Sequence, residues 1–159
     1  MSCTRVMLLS PGLLLLVAGC GSDALKLTPV NGVVKYEGDL LKGATVTFVP
    51  KVEAAGYRIA TGSTNEQGEY ELMAGARRGA AGGAHYIFIS APNPESPLVQ
   101  DPRISRMPQT PEAMQGASLI PLSYANAQRS GLSAEVLLGE TNVFNFELTE
   151  DGTGGVVIP

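Results

Sequence analysis

From residue 30 to residue 148 apolar side chains recur at every second position, the period of half-buried strands rather than helices. Val30, Gly32, Val34 and Tyr36 fall on one face, with Asn31, Lys35 and Glu37 taking most of the other. Glu37-Gly38-Asp39 reads as a turn, after which Ala44, Val46 and Phe48 repeat the alternation against Thr45 and Thr47. A third strand is expected over Tyr57 to Thr64 and a fourth over Glu69 to Met73, with Tyr70 and Leu72 inward. Thr64-Asn65-Glu66-Gln67-Gly68 joins them as a hairpin loop whose Asn and Gly tolerate positive φ. Ala84 to Ala91, apolar on both faces, is expected to be a central fifth strand. Leu132, Ala134, Val136 and Leu138 make a sixth, Gly139 to Asn142 turns the chain, and Phe144, Phe146 and Leu148 make a seventh. No segment has a convincing helical period and no internal repeat is present. The pattern predicts an all-β fold, a single seven-stranded sandwich over residues 30–150.

Two stretches break the alternation. Residues 92–121 hold Pro92, Pro94, Pro97, Pro102, Pro108, Pro111 and Pro121, which reads as a Pro-rich loop insertion. A solvated connection between sheets is favoured there over a binding loop. Residues 151–159 are Gly-rich and are expected to be a flexible tail.

The N-terminus has a different logic. Arg5 precedes an apolar stretch from Val6 to Val17, followed by the small residues Ala18 and Gly19 before Cys20. This is the three-part layout of a secretory signal. A spanning helix needs about 20 apolar residues, whereas this run is shorter and is interrupted by Ser10-Pro11-Gly12. Val17-Ala18-Gly19-Cys20 resembles the bacterial lipobox, in which the cysteine thiol receives a diacylglycerol and the chain is cut immediately before it. The resemblance implies a lipoprotein signal peptide over residues 1–19, a lipidated tether over 20–29 and a membrane held through lipid on Cys20. Two or three acyl chains anchor firmly where one does not.

Processing at Cys20 leaves one domain's worth of chain and removes Cys3. With Cys20 acylated, no thiol remains for a disulfide, a metal site or catalysis. Losing Arg5 leaves ten basic against fifteen acidic residues, a net charge of −5, and no basic patch interleaves with aromatics. Nucleic acid is excluded as a partner on that ground.

Three motifs carry a resemblance over most of residues 30–148. Val30, Gly32 and Val34, then Gly43, Ala44, Val46 and Phe48, fit V-x-G-x-V followed by G-A-x-V-x-F. Thr64, Gly68, Tyr70 and Leu72 fit T-x-x-x-G-x-[FY]-x-L, and Gly83, His85, Ile87 and Ile89 fit G-x-[YH]-x-V-x-V. In that order they resemble the carboxypeptidase regulatory-like domain of bacterial surface lipoproteins. The resemblance implies an immunoglobulin/transthyretin-like β-sandwich that serves as a folding or interaction module and does not do the chemistry of the carboxypeptidases it accompanies. Fold-level analogy supplies no activity.

Candidate chemistry is sparse. His85 is the only histidine, and its place on the Ile87 and Ile89 face marks it as a core-edge residue rather than a catalytic base. No nucleophile motif accompanies it, and one histidine with no available cysteine is a poor zinc site. Arg77 to Gly83 lacks the Lys and the following helix of a phosphate loop, so it reads as a flexible inter-strand loop. Asn65, Glu66 and Glu69 fall short of the oxygens calcium wants. Lys35 and Asn145, the candidates for an isopeptide weld, should both point outward.

These residues predict no catalytic site, no metal and no cofactor. The expected protein is a non-enzymatic, extracytoplasmic, lipid-anchored module whose partner is another envelope protein or a glycan. Ser22, two residues after Cys20, favours the outer membrane or cell surface by analogy with known sorting signals. For a carbohydrate-binding module, sugars usually stack on aromatics. There is no Trp, and Tyr57 and Tyr124 are the candidate contacts.

Overall fold

The computed structural model describes residues 26–52 and 58–158. The strands run, in chain order, β1 (Leu27–Thr28), β2 (Val30–Tyr36), β3 (Asp39–Leu40), β4 (Thr45–Pro50), β5 (Ala60–Ser63), β6 (Glu69–Glu71) and β7 (Met73–Ala74). After these come β8 (Arg77–Arg78), β9 (Ala80–Ala81), β10 (Gly83–Ser90), β11 (Ser133–Val136), β12 (Asn142–Val143), β13 (Asn145–Leu148) and β14 (Gly155–Val157). Two short helices, α1 (Pro97–Gln100) and α2 (Pro111–Gly116), interrupt them.

The protein is an all-β sandwich. One sheet is antiparallel throughout, in the order β11-β10-β4-β5-β7-β8. The other is organised around β2, which pairs with β12 and β13 on one side and with β3 and β6 on the other, while β14 extends the sheet beyond β13. A small third ladder joins β1 to β9. Pairing of β2 with β12 and β13 is parallel, Val30 opposite Asn142 and Val34 opposite Phe146, so the first long strand lies beside the last part of the chain.

The expected alternation is what fills the space between the sheets. Val46 and Phe48 from β4 and Ile87 and Ile89 from β10 face Val34, Phe146 and Leu148, all buried. Phe48 is the centre of this layer, its ring centroid 5.9 Å from Phe144 and 6.3 Å from Phe146. Glu37 and Gly38 both have positive φ and connect Tyr36 to its partner Asp39, a two-residue hairpin of the kind that follows the natural twist of strands. The Thr64–Gly68 turn also forms as expected. Its second arm is divided, because β6 pairs with β2 in one sheet and β7 with β5 in the other. The chain from Glu69 to Ala74 therefore fastens the two sheets together along one edge.

Three expectations need correction. Arg77 to Gly83 is not a loop: β8 and β9 pair with β7 and β1. The tail is not frayed, because Gly155–Val157 pairs with Asn145–Glu147. The sixth strand stops at Val136, and Leu138 points out to solvent. The Pro-rich segment is an ordered excursion closed at its neck, where Pro92 bridges Ser118 and the Asn93 amide donates to the Ala117 carbonyl at 2.9 Å. Its helices are too short to show a period. Thr110, whose hydroxyl accepts from the Ala113 amide, and Pro111 at the first helical position are the local signals for α2. No residue of α1 or α2 is buried.

Candidate functional site

Cys20, the cleavage residues Val17, Ala18 and Gly19, and Tyr57 lie outside the described residues. Tyr124 does not serve as a surface platform. It lies on a 3-10 turn (Leu122–Ala125) with its ring fully buried. Its hydroxyl accepts from the amides of Thr149 at 2.9 Å and Gly154 at 2.8 Å and donates to the Thr149 carbonyl at 3.1 Å. These bonds hold the turn that delivers β14 to β13. A sugar therefore has no access to this ring, and Tyr124 is a packing residue rather than the ligand contact expected of it.

His85 lies in the core and is also fully buried. The Gly83 carbonyl, which can only accept, lies 2.9 Å from Nδ1, so that nitrogen carries the proton. Nε2 has no hydrogen-bond partner among the described residues, and the ring packs at 5.7 Å from Phe48. Burial lowers the pKa of the imidazole below its ordinary 6.5, and the Gly83 carbonyl opposes this only in part. Among the described residues no carboxylate hydrogen-bonds the ring. The buried Ser130 hydroxyl is committed elsewhere, donating to the Ile87 carbonyl at 2.5 Å and accepting from the Leu132 amide. The surroundings suit a neutral packing residue.

The lowered pKa has a consequence for stability. The unfolded chain takes up a proton near 6.5, while the folded chain resists it, so stability present above that pH is lost as pH falls toward the lower folded value. Urea midpoints are expected to fall between about pH 7 and about pH 5, and His85→Phe should flatten that slope. A slope unchanged in the variant would refute the assignment. Glu112 and Asp151, both with lowered values and the latter at about 2, titrate further into acid and leave this window to His85.

The remaining polar candidates are used internally. Asn65 Oδ1 accepts from the amides of Gln67 and Glu69, each at 2.9 Å, and Nδ2 donates to the Glu69 carboxylate. Glu66 pairs with Lys42 at 3.2 Å. These are contacts that shape a turn. Among the described residues no group of three His, Cys, Asp or Glu side chains is placed to hold a metal. Lys35 Nζ lies 4.0 Å from Glu147. Asn145 Oδ1 instead accepts from the Val33 amide at 3.0 Å. The two supposed welding partners sit on neighbouring strands and are engaged with different groups.

Asn145 marks a local departure that the motif reading passed over. In a regular parallel ladder the Val33 amide would meet the Phe144 carbonyl. That carbonyl accepts from the Tyr70 hydroxyl at 2.7 Å, and the Asn145 side chain serves Val33 in its place. Burial drives the Tyr70 phenol far above its usual range, so it is a permanent donor. The arrangement requires Gly32, because a Cβ there would lie 1.9 Å from the Phe144 oxygen. The available signal was a glycine at an inward position between Val30 and Val34, which marks a close backbone approach.

Several shallow depressions mark the surface, three of them on the β2 sheet and at the two ends of the sandwich. The outer face of the β2 sheet carries one of about 550 Å³, lined by Asn31, Ser63, Asn65, Glu69, Glu71 and Asn145. Another of about 540 Å³ lies at one end of the sandwich, between Lys42–Gly43, Thr64–Glu66 and the neck residues Pro92, Pro94 and Leu119. A third, of about 350 Å³, lies at the opposite end beside Leu137, Glu140, Asn142 and Ile158.

No family model, no curated protein and no solved structure matches the chain. Any functional reading therefore rests on the residues themselves and on how the fold presents them.

Proposed function

We propose that this chain is a non-enzymatic, lipid-anchored protein of the cell envelope whose sandwich acts as an interaction module of the carboxypeptidase regulatory-like kind. The observation that carries the reading is the apolar run ending in Val17-Ala18-Gly19-Cys20, a short distance before the first strand at Leu27. Among the described residues no helix is long and apolar enough to cross a membrane. The interior position of His85 and the internal use of the Asn65, Glu66 and Ser130 side chains agree with a module that binds rather than catalyses. Its exposed faces are the amide- and carboxylate-lined depression on the β2 sheet and the end formed by the Thr64–Gly68 turn and the Pro-rich neck.

The test compares the native protein with Cys20→Ser by intact mass and membrane partitioning. The native form is expected to lack residues 1–19, carry acyl mass and sediment with membranes, while the variant retains its signal and carries none. A native chain that is cleaved yet unacylated and free in solution would overturn the reading.

A further inference from the structure

The two ends of the sandwich differ, and strand register identifies them. Thr45 lies opposite both Ser90 and Ser63, so the Thr64–Gly68 turn and the Pro92 neck share one end. Pro50 lies opposite His85 and Gly83 opposite Val136, so the Lys51–Val52 and Leu137–Leu138 segments share the other. The chain enters at this second end. Leu27 and Thr28 pair with Ala81 and Ala80, immediately before Gly83, and the Thr28 hydroxyl donates to the Glu140 carbonyl at 2.7 Å.

The entry end exposes large apolar side chains. Leu137 and Leu138 are 52% and 55% exposed, Ile158 is 71% and Val52 is 74%. Leu138 lies directly over Gly82, where an added Cβ would come within 2.4 Å of it, which places it beside β1. Ile158 and Leu137 line the same depression. Lys26 and Lys51 add positive charge, the Lys51 ammonium lying 4.7 Å over the Tyr86 ring. Glu135 and Glu140 line the same depression, so the exposed apolar side chains rather than net charge are what suits this end to lipid headgroups.

We propose that this end of the sandwich, with Val52, Leu137, Leu138 and Ile158 at its centre, is a membrane-contacting face. The proposal rests on Cys20 being the anchor. From Cys20 to Lys26 the chain spans at most about 20 Å, because β1 takes up two residues that the sequence pattern left in the tether. The bilayer is therefore close to the entry end, while the far end stands off by the length of an eight-residue strand, roughly 25 Å. With the anchor already confining the domain, the face need not supply affinity. It has only to favour one orientation, which a few partly inserted apolar side chains achieve. The Pro-rich neck and the Thr64–Gly68 turn are then held outward, toward a partner in the envelope.

The experiment uses the acylated mature protein in vesicles of phosphatidylethanolamine and phosphatidylglycerol, with a polarity-sensitive dye at Leu138→Cys, Val52→Cys or, at the far end, Glu66→Cys. Val52→Cys guards against a packing defect at Leu138. The labels at 138 and 52 are expected to emit at shorter wavelength and be quenched by bromine-labelled lipid at least about threefold more than the label at 66. Equal quenching at both ends, or stronger quenching at 66, in protein whose mass includes the acyl chains overturns the membrane face and leaves the anchor standing. Protein without acyl mass, with every label in water, removes the anchor and the face together.

Discussion

Gly32→Ala is expected to cost at least about 3 kcal/mol, a large part of the 5–15 kcal/mol that holds an ordinary domain together. A urea titration would register it as a large fall in midpoint. The Cβ would lie 1.9 Å from the Phe144 carbonyl oxygen, inside any tolerable contact, and Tyr70 sits on the same side at 3.1 Å. Relief requires β2 to move away from the chain between β12 and β13. That movement breaks the Tyr70–Phe144 and Val33–Asn145 bonds and leaves polar groups buried without partners. A variant within about 1 kcal/mol of the native protein would show that the two strands do not approach as described.

Phe48→Ala is expected to cost about 3–5 kcal/mol, read by the same titration. The side chain is fully buried and is the one ring that meets Phe144, Phe146 and His85 together. Truncation leaves a void between two sheets whose separation is fixed by the Glu69–Ala74 connection, so collapse around it is limited. Loss near the upper figure means a rigid sandwich. Loss of only about 1 kcal/mol would mean that the sheets close up and that Phe48 is not the centre of the core.

The sandwich was legible because its long strands each bury one face, and burying one face imposes period two. Val30–Tyr36, Thr45–Pro50 and Gly83–Ser90 lie where the alternation puts them, as does the turn at Glu37-Gly38, whose glycine favours positive φ. What escaped is what tertiary pairing decides. Strands of two residues such as β1, β8 and β9 are too short to have a period, and parallel pairing of β2 with β13 leaves no local trace. Val156-Val157-Ile158 was a strand signal outweighed by the glycines before it. Tyr124 follows a proline-rich stretch without alternation, so its direction was undetermined until the Thr149 and Gly154 amides were seen to converge on its hydroxyl. As for the candidate site, His85 was placed correctly on the inward face by the period of its strand.

The parallel ladder between β2 and β12–β13 joins residues 112 positions apart, as the Val33–Asn145 bond makes plain. A chain that emerges N-terminus first presents β2 more than a hundred residues before β13. Until residues near 148 are available, β2 has one unsatisfied edge, and closing so long a loop carries an entropic cost that slows folding. Completion of the sandwich is thus timed by the arrival of residues near 148, and until then the chain stays unclosed along that edge of β2.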